Sequence, residues 1–343
     1  MTNPDNTALA RQHRRIQRLR EVGVTRTTVL VHEECRQGLD ALRPYLLNPE
    51  QALVLEGLTH ELINQTKPTN VAQVRQLSPF RYPGGKTWLI PELRRWLVSL
   101  GRPISAFVEP FAGGAMSALT VAAENLADRV VIVELDEEVA AVWDLIFNGT
   151  NDDVNWLCRQ IRIFDVSLSN VREIIDHESG NRREAAFRTI IKNRMQRGGI
   201  LAPGAGLVNG GENGKGLLSR WYAETLVKRI ESIRLMHRRV AFIHGDAFEV
   251  IEANAQDRQA AFFIDPPYTV GGNKAGKRLY THCELDHERL FHVIAGVNGS
   301  VLMTYDDTSE VNNLAQLHGL SVAKVPMKST HHAIHYELLI TKV

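Results

Sequence analysis

Cysteine is scarce in this sequence, with three residues in 343, and long hydrophobic runs are absent. Cys35, Cys158 and Cys283 are widely scattered and have no metal-ligand spacing, so we expect reduced thiols and no bound metal. The longest apolar runs, such as 130–133 and 260–264, are far shorter than the roughly 20 residues that span a bilayer. Because the polar, Arg-rich N-terminus also lacks an apolar core, the sequence predicts a cytoplasmic protein without a membrane segment.

From residue 77 onward, the chain alternates apolar, strand-like runs with amphipathic helices. The runs are AFVEP at 106–110, VVIVEL at 130–135, VAFIHGD at 240–246, AFFIDPP at 261–267 and SVLMTYDD at 300–307. Strands that are apolar on both faces and alternate with helices predict a doubly wound α/β domain around a parallel sheet. In such domains, ligands bind beyond the carboxyl ends of the strands.

Composition divides the chain into three regions. A polar linker separates residues 1–70 from the strand-bearing segments 75–150 and 236–343. Between these segments, residues 151–235 carry a basic helix and a glycine-rich stretch, which indicates an insertion with partner contacts. Residues 181–240 hold 13 Lys and Arg against 4 Glu, a balance of +9 in a chain whose net charge is +1. This excess predicts contact with phosphates, with a solvated helix face as the alternative.

The motif Asp-Pro-Pro-Tyr stands at the end of a predicted buried strand. An exocyclic aromatic amine is a weak nucleophile, because its lone pair is delocalised into the ring. The Asp265 carboxylate and the Pro266 carbonyl could each accept one amine hydrogen, while Pro266 and Pro267 restrict the backbone. Tyr268 could stack on a base that has been swung out of a duplex. The alternative is an ordinary proline turn.

Glycines and acidic residues at the other strand ends predict a nucleotide-like cofactor. Gly113 and Gly114, in VEPFAGGA, would let the backbone approach a ligand closely. Glu134, about 20 residues further on, is suited to ribose hydroxyls. Asp246 could receive an adenine amine. For each acidic residue, helix N-capping is the alternative.

A third cluster is SPFRYPGGKTWLIPEL at 78–93. Gly84 and Gly85 permit tight backbone passage, Tyr82 offers a flat face, and Lys86 could bind the carboxylate of a cationic cofactor. A phosphate-binding loop is the rival interpretation, but the early glycine of a Walker motif is missing.

Several motifs together resemble the Dam-like, alpha-class adenine-N6 DNA methyltransferases over residues 78–343. They are PFRYPGGK, FVEPFAGGA, RVVIVELDEEV, HGDAFEVI, FIDPPY, LYTHCELDHERL, VLMTYDD and YELLIT. The resemblance implies a Rossmann-like methyltransferase sheet, S-adenosylmethionine as cofactor, double-stranded DNA as partner and a flipped adenine as substrate. The predicted cofactor-binding residues are Tyr82, Gly84, Gly85, Lys86, Glu109, Phe111, Gly113, Gly114, Glu134, Asp246 and Asp265.

The same resemblance identifies 151–235 as a mainly helical target-recognition region. Asn193 and Arg194 are similar to a family Asn-Arg pair and are candidates for DNA contact. Arg197, Lys215 and Arg220 are candidates from their charge alone. The aromatic-rich run of GATC-modifying members is missing, so no GATC target is predicted. Cytosine-N4 methylation, an RNA substrate and an inactive DNA-binding regulator are the alternatives.

Residues 1–70 have no place in the family pattern. A short alternating strand at 25–32 followed by two helices resembles a ribbon-helix-helix module, which would pair two chains into a homodimer. The alternative is a helical cap with a solvated basic stretch.

Overall fold

The computed structural model describes residues 71, 74–82, 84–211, 214–270, 279, 281–282, 284–328 and 334–342. These residues belong to one compact unit, Lys67–Val343. The ribbon-helix-helix and the homodimer predicted from residues 1–70 lie outside the described residues and stay predictions.

Seven strands form one sheet. They are β1 (Ala106–Glu109), β2 (Arg129–Glu134), β3 (Val240–His244), β4 (Ala260–Ile264), β5 (Ser300–Asp306), β6 (Ser321–Lys328) and β7 (Ile334–Lys342). Their spatial order is β3-β2-β1-β4-β5-β7-β6. The first five are parallel, and β7 runs antiparallel between β5 and β6. All five predicted strands and the doubly wound α/β fold are therefore confirmed.

Beyond the five predicted parallel strands, β6 and β7 add an antiparallel pair at one edge of the sheet. The side chains of Ser321, Val322, Ala323 and Lys324 at the start of β6 are exposed. An edge strand of this kind lacks the continuous apolar run by which the buried strands were recognised.

Ten α-helices lie in the described part of the chain. They are α1 (Ile90–Ser99), α2 (Met116–Ala123), α3 (Glu137–Phe147), α4 (Asn151–Ile163), α5 (Leu168–Asp176), α6 (Arg182–Met195), α7 (Ala223–Arg234), α8 (Ala247–Asn254), α9 (His287–Gly296) and α10 (Ser309–Leu317). Short 3₁₀ helices span Lys86–Leu89, Arg197–Gly199 and Gly216–Arg220. Side-chain caps fix several helix starts, and Thr150 and Asp153 form a capping box on α4.

Each face of the sheet packs on its own apolar cluster, since neighbouring residues of a strand point to opposite faces. Phe263 belongs to one cluster and Phe262 to the other. Leu157, Ile190 and Ile230, from α4, α6 and α7, join the cluster that contains Phe263. The helical segment between β2 and β3 therefore shares a core with the sheet and is not a detached lobe.

Within the described ranges, no helix is both long and apolar enough to cross a bilayer. The same residues hold no group of three or more His, Cys, Asp or Glu side chains that could bind a metal ion. Cys158 is a buried free thiol, and burial raises its pKa to about 11. This thiol is therefore a poor nucleophile at neutral pH.

Candidate active site at the carboxyl ends of the strands

A cavity of about 200 Å³ lies beyond the carboxyl ends of β1, β2, β3 and β4. The predicted residues that line it are Tyr82, Gly85, Lys86, Glu109, Phe111, Gly113, Gly114, Glu134, Asp246, Asp265 and Pro267. Residues from four strand ends thus meet at one place, as their positions predicted. Among the described residues, the predicted Gly84, Pro266 and Tyr268 are not part of this lining.

The turn after β1 has a shape that requires glycine. Gly113 has a φ of +46°, and a Cβ built there would lie 2.5 Å from Cε1 of Tyr82. The indole of Trp143 donates a hydrogen bond of 2.9 Å to the Gly113 carbonyl and fixes the turn from the core side. Tyr82 therefore covers the glycine turn closely, and a larger residue at position 113 would displace it.

Two carboxyl groups flank this turn, the half-buried Glu134 and the buried Glu109. Glu134 accepts hydrogen bonds from the backbone N–H groups of Gly113 at 2.7 Å and of Leu135 and Asp136 at 2.9 Å each. Burial nevertheless raises the pKa of Glu134 to about 7. Glu109 accepts a 2.7 Å bond from Ala118 N–H, and burial raises its pKa well above the ordinary value. Near neutral pH, Glu134 therefore changes between its neutral and ionised forms.

The cavity wall is strongly acidic. Among the described residues of this wall, Lys86 is the one ammonium, and the carboxyl groups belong to Glu109, Glu134, Asp136, Asp246, Asp265, Glu284 and Asp286. Asp246 also caps α8 through a 2.6 Å bond from Phe248 N–H, so the capping alternative holds together with a place at the cavity. An acidic wall favours cationic ligands over phosphates.

Lys86 and Asp265 form the centre of a buried polar cluster. Lys86 is 5% exposed, and its Nζ lies 2.9 Å from Asp265 Oδ1 and 3.7 Å from Glu337 Oε2. Asp265 Oδ1 also accepts bonds from the hydroxyls of Thr304 at 2.8 Å and Tyr268 at 3.1 Å. The ammonium that was expected to bind a cofactor carboxylate thus has two carboxylates of the protein itself beside it.

Tyr268 requires a correction. Its ring stacks on Tyr305, with centroids 5.4 Å apart, and Lys86 Nζ lies 4.9 Å from its centroid. Its hydroxyl lies 3.1 Å from both Asp265 Oδ1 and Glu337 Oε2. The ring is half-buried and is not among the described residues that line the cavity. Burial raises the pKa of Tyr268 well above 10, so the hydroxyl keeps its proton.

Glu337 was missed as a site residue, although its motif YELLIT contributed to the family resemblance. It lies on β7 opposite Asp306 and is 8% exposed. A carboxylate directly before the apolar run Leu338–Ile340 was the feature that could have identified it, because buried charges need a partner. The partners, Lys86 and Tyr268, come from distant parts of the chain.

Asn193 and Arg194 do not have the DNA contacts predicted for them. Asn193 is fully buried: its Oδ1 accepts from Arg81 N–H at 2.8 Å, and its Nδ2 donates to the carbonyls of Arg81 at 3.1 Å and Gly199 at 2.8 Å. Arg194 is 7% exposed and donates to the Pro79 carbonyl, and burial lowers its pKa to about 9. Both side chains hold the segment that leads to Tyr82 and Lys86.

Much of the basic excess in 181–240 is also used internally. Asp153 pairs with Arg182 and Arg183, and Glu138 pairs with Arg188 and Lys192. Charge counted along this stretch therefore overestimates the charge available to a partner.

A second, basic pocket lies beside the cavity. Arg81, Arg197 and Arg220 line it together with the polar side chains of Gln196 and Asn209. Among its described lining residues none is acidic. Lys215, the remaining predicted residue, is exposed but does not line this pocket. The arginines predicted from charge alone are thus the ones that face an open pocket.

No family model matches the chain, and no curated protein matches it. Its structure is similar to an rRNA methyltransferase from Streptomyces viridochromogenes, with 10% identity and a TM-score of 0.35 over 81% of this chain and 94% of that chain. It is also similar to a precorrin-6y C5,15-methyltransferase from Geobacter metallireducens, with 11% identity and a TM-score of 0.30 over 73% and 85% of the two chains. The chemistry of the cavity is therefore inferred from its own residues.

Proposed function

We propose that this protein transfers a methyl group from S-adenosylmethionine to the exocyclic N6 amine of adenine in double-stranded DNA, as the resemblance to Dam-like enzymes implies. The observation that carries the proposal is the position of Asp265, which lines the same acidic cavity as the glycine turn at Gly113. An acceptor for amine hydrogens and a pocket suited to a cationic nucleoside are thereby combined in one cavity.

The residues of the cavity fit S-adenosylmethionine. Its positive sulfonium suits the acidic wall, its ribose hydroxyls suit Glu134, and its adenine amine suits Asp246. The turn at Gly113 allows close approach of a ligand to the backbone. When bound, this cofactor supplies an electrophilic methyl group attached to a good leaving group.

Asp265 is equipped to hold the substrate amine. Its three hydrogen bonds from Lys86, Tyr268 and Thr304 all reach Oδ1, so no described residue donates to Oδ2. We assign Oδ2 to one hydrogen of the amine and the Pro266 carbonyl to the other. As the amine nitrogen attacks the methyl carbon, it gains positive charge, and the carboxylate stabilises that charge without having to reorient.

The basic pocket supports a polymeric substrate. Arg81 lines this pocket, and the next residue, Tyr82, lines the acidic cavity. A phosphodiester chain bound by Arg81, Arg197 and Arg220 would keep its own flipped base within reach of Asp265. A free nucleoside would gain nothing from these arginines. Asp at position 265, where cytosine-N4 enzymes often have Ser, favours adenine by resemblance.

The test is methyl transfer from labelled S-adenosylmethionine to unmethylated duplex DNA, to structured RNA and to free adenosine, with Asp265→Ala as the matched inactive control. Modified bases are identified by nucleoside mass spectrometry, and the target sequence by long-read sequencing. We expect N6-methyladenine in one sequence context of the DNA, and none with Asp265→Ala.

Other outcomes would assign the neighbouring functions. N4-methylcytosine would give the same chemistry on another base, and label in RNA alone would give an RNA base methyltransferase. Tight binding to one DNA sequence without any transfer would contradict the enzyme and favour a DNA-binding regulator.

A further inference from the structure

Two carboxylates share one ammonium and one hydroxyl beside the cavity. Lys86 is within 4 Å of both Asp265 and Glu337, at 2.9 Å and 3.7 Å. Tyr268 is equally close to both, with its hydroxyl 3.1 Å from each. Every donor that could serve Glu337 in this cluster therefore also serves Asp265.

The shared hydroxyl forces a choice, because it carries one proton and can donate to only one carboxylate at a time. When Glu337 is ionised, it competes with Asp265 for the Tyr268 proton and for the charge of Lys86. When Glu337 is neutral, both donors turn fully to Asp265 Oδ1. Stronger bonds to Oδ1 withdraw electron density from the carboxylate and weaken Oδ2 as an acceptor.

We propose that Glu337 is a positioning residue for methyl transfer: by competing for Tyr268 and Lys86, it sets how strongly Asp265 accepts the hydrogens of the substrate amine. This role rests on the proposed function, because it assigns the amine to Asp265. Glu337 itself does not line the cavity among the described residues and acts through its two neighbours.

The surroundings of Glu337 make its charge responsive to pH. Burial raises its pKa against the opposing attraction of Lys86, while the negative charges of Asp265 and Asp306 raise it further. On the other side, the residue opposite Glu337 in β6 is the apolar Val325. The neutral form of Glu337 therefore persists to higher pH than that of an exposed glutamate, and transfer should accelerate as pH rises through its pKa.

The test compares Glu337→Gln, Tyr268→Phe and the double variant in single-turnover methyl transfer over a range of pH. Gln keeps the size and an acceptor for Tyr268 but removes the charge. We expect Glu337→Gln to lower the rate about tenfold at neutral pH. The rise in rate with pH that belongs to ionisation of Glu337 should also disappear, while the affinity for the cofactor stays unchanged. Glu337→Asp keeps the charge, so the rise in rate with pH should remain.

Tyr268→Phe removes a donor to Asp265 Oδ1 and should therefore not slow transfer. The double variant should be no slower than Glu337→Gln alone, because both changes act through one connection. Glu224→Gln on the exposed part of α7 is the control for loss of a surface glutamate and should leave the profile unchanged. If Glu337→Gln does not fold, Tyr268→Phe alone tests the connection between Glu337 and Asp265, since it removes only the bridging hydroxyl.

A Glu337→Gln profile that superimposes on that of the wild type would overturn this role and leave the proposed function standing. Rate losses that multiply in the double variant would also overturn it. Failure of the wild type to methylate any nucleic acid would overturn the proposed function and this role together, so the two failures are distinguishable.

Discussion

The acidic cavity and the basic segment 181–240 both concentrate charge, but they hold it in different ways. In the cavity, backbone N–H groups fix Glu134 and Glu109 in place, and both carboxylates still line the open space. In the basic segment, Arg182 and Lys192 are paired with carboxylates of neighbouring helices, and Arg194 is bonded to a backbone carbonyl. The two cavity carboxyl groups therefore stay within reach of a ligand, whereas the cations of the basic segment are paired with carboxylates or, for Arg194, buried.

The largest expected effect concerns Asn193, which we assign to the fold and not to DNA. Asn193→Ala would leave three backbone groups without their partner, two of half-buried Arg81 and one of buried Gly199, so the free energy of unfolding should fall by about 3 kcal/mol. Urea denaturation measures this loss. The control Arg197→Ala, four residues away and exposed, should change it by less than about 0.5 kcal/mol. A stable Asn193→Ala protein that no longer binds DNA would restore the contact first predicted from the sequence.

In the acidic cavity, the largest effect is expected at Gly113. Gly113→Ala combines a positive φ with a clash against the Tyr82 ring, so cofactor affinity should fall at least about tenfold. Isothermal titration with S-adenosylmethionine measures the change. Gly296→Ala is the control, because a Cβ there meets no atom within 4 Å. Unchanged affinity in Gly113→Ala would mean that the cofactor does not bind at this turn.

These two positions also show what sequence can reveal. The strands, the glycine turn and the acidic strand ends were predicted because each depends on a few adjacent residues, and a parallel sheet brings strand ends together automatically. Asn193 was misassigned because its partner Arg81 is 112 positions away. One hydrogen-bond partner of Tyr268, Glu337, is 69 positions away. Patterns along a chain do not record such pairings.

An intermediate effect should appear in the pH dependence of cofactor binding. With its pKa raised to about 7, Glu134 is mainly neutral at lower pH and ionised at higher pH. Hydrogen bonds from ribose hydroxyls favour the ionised form, so affinity should rise up to about tenfold between about pH 6 and pH 8. Glu134→Gln should bind more weakly and lose the part of this dependence that belongs to Glu134. An identical pH dependence in the two proteins would remove Glu134 from the ribose site.

The smallest effect is expected at the basic pocket, where each arginine adds one phosphate contact. Arg197→Gln and Arg220→Gln should each weaken DNA binding several-fold and reduce the slope of log affinity against log salt by about 1. Arg162→Gln on α4 is the matched control, since that arginine lies outside the pocket and pairs with Glu224 and Glu231. If the slope of log affinity against log salt falls equally in all three variants, net charge alone governs DNA binding. If only Arg197→Gln and Arg220→Gln lower the slope, the arginines that line the basic pocket are the ones that contact DNA.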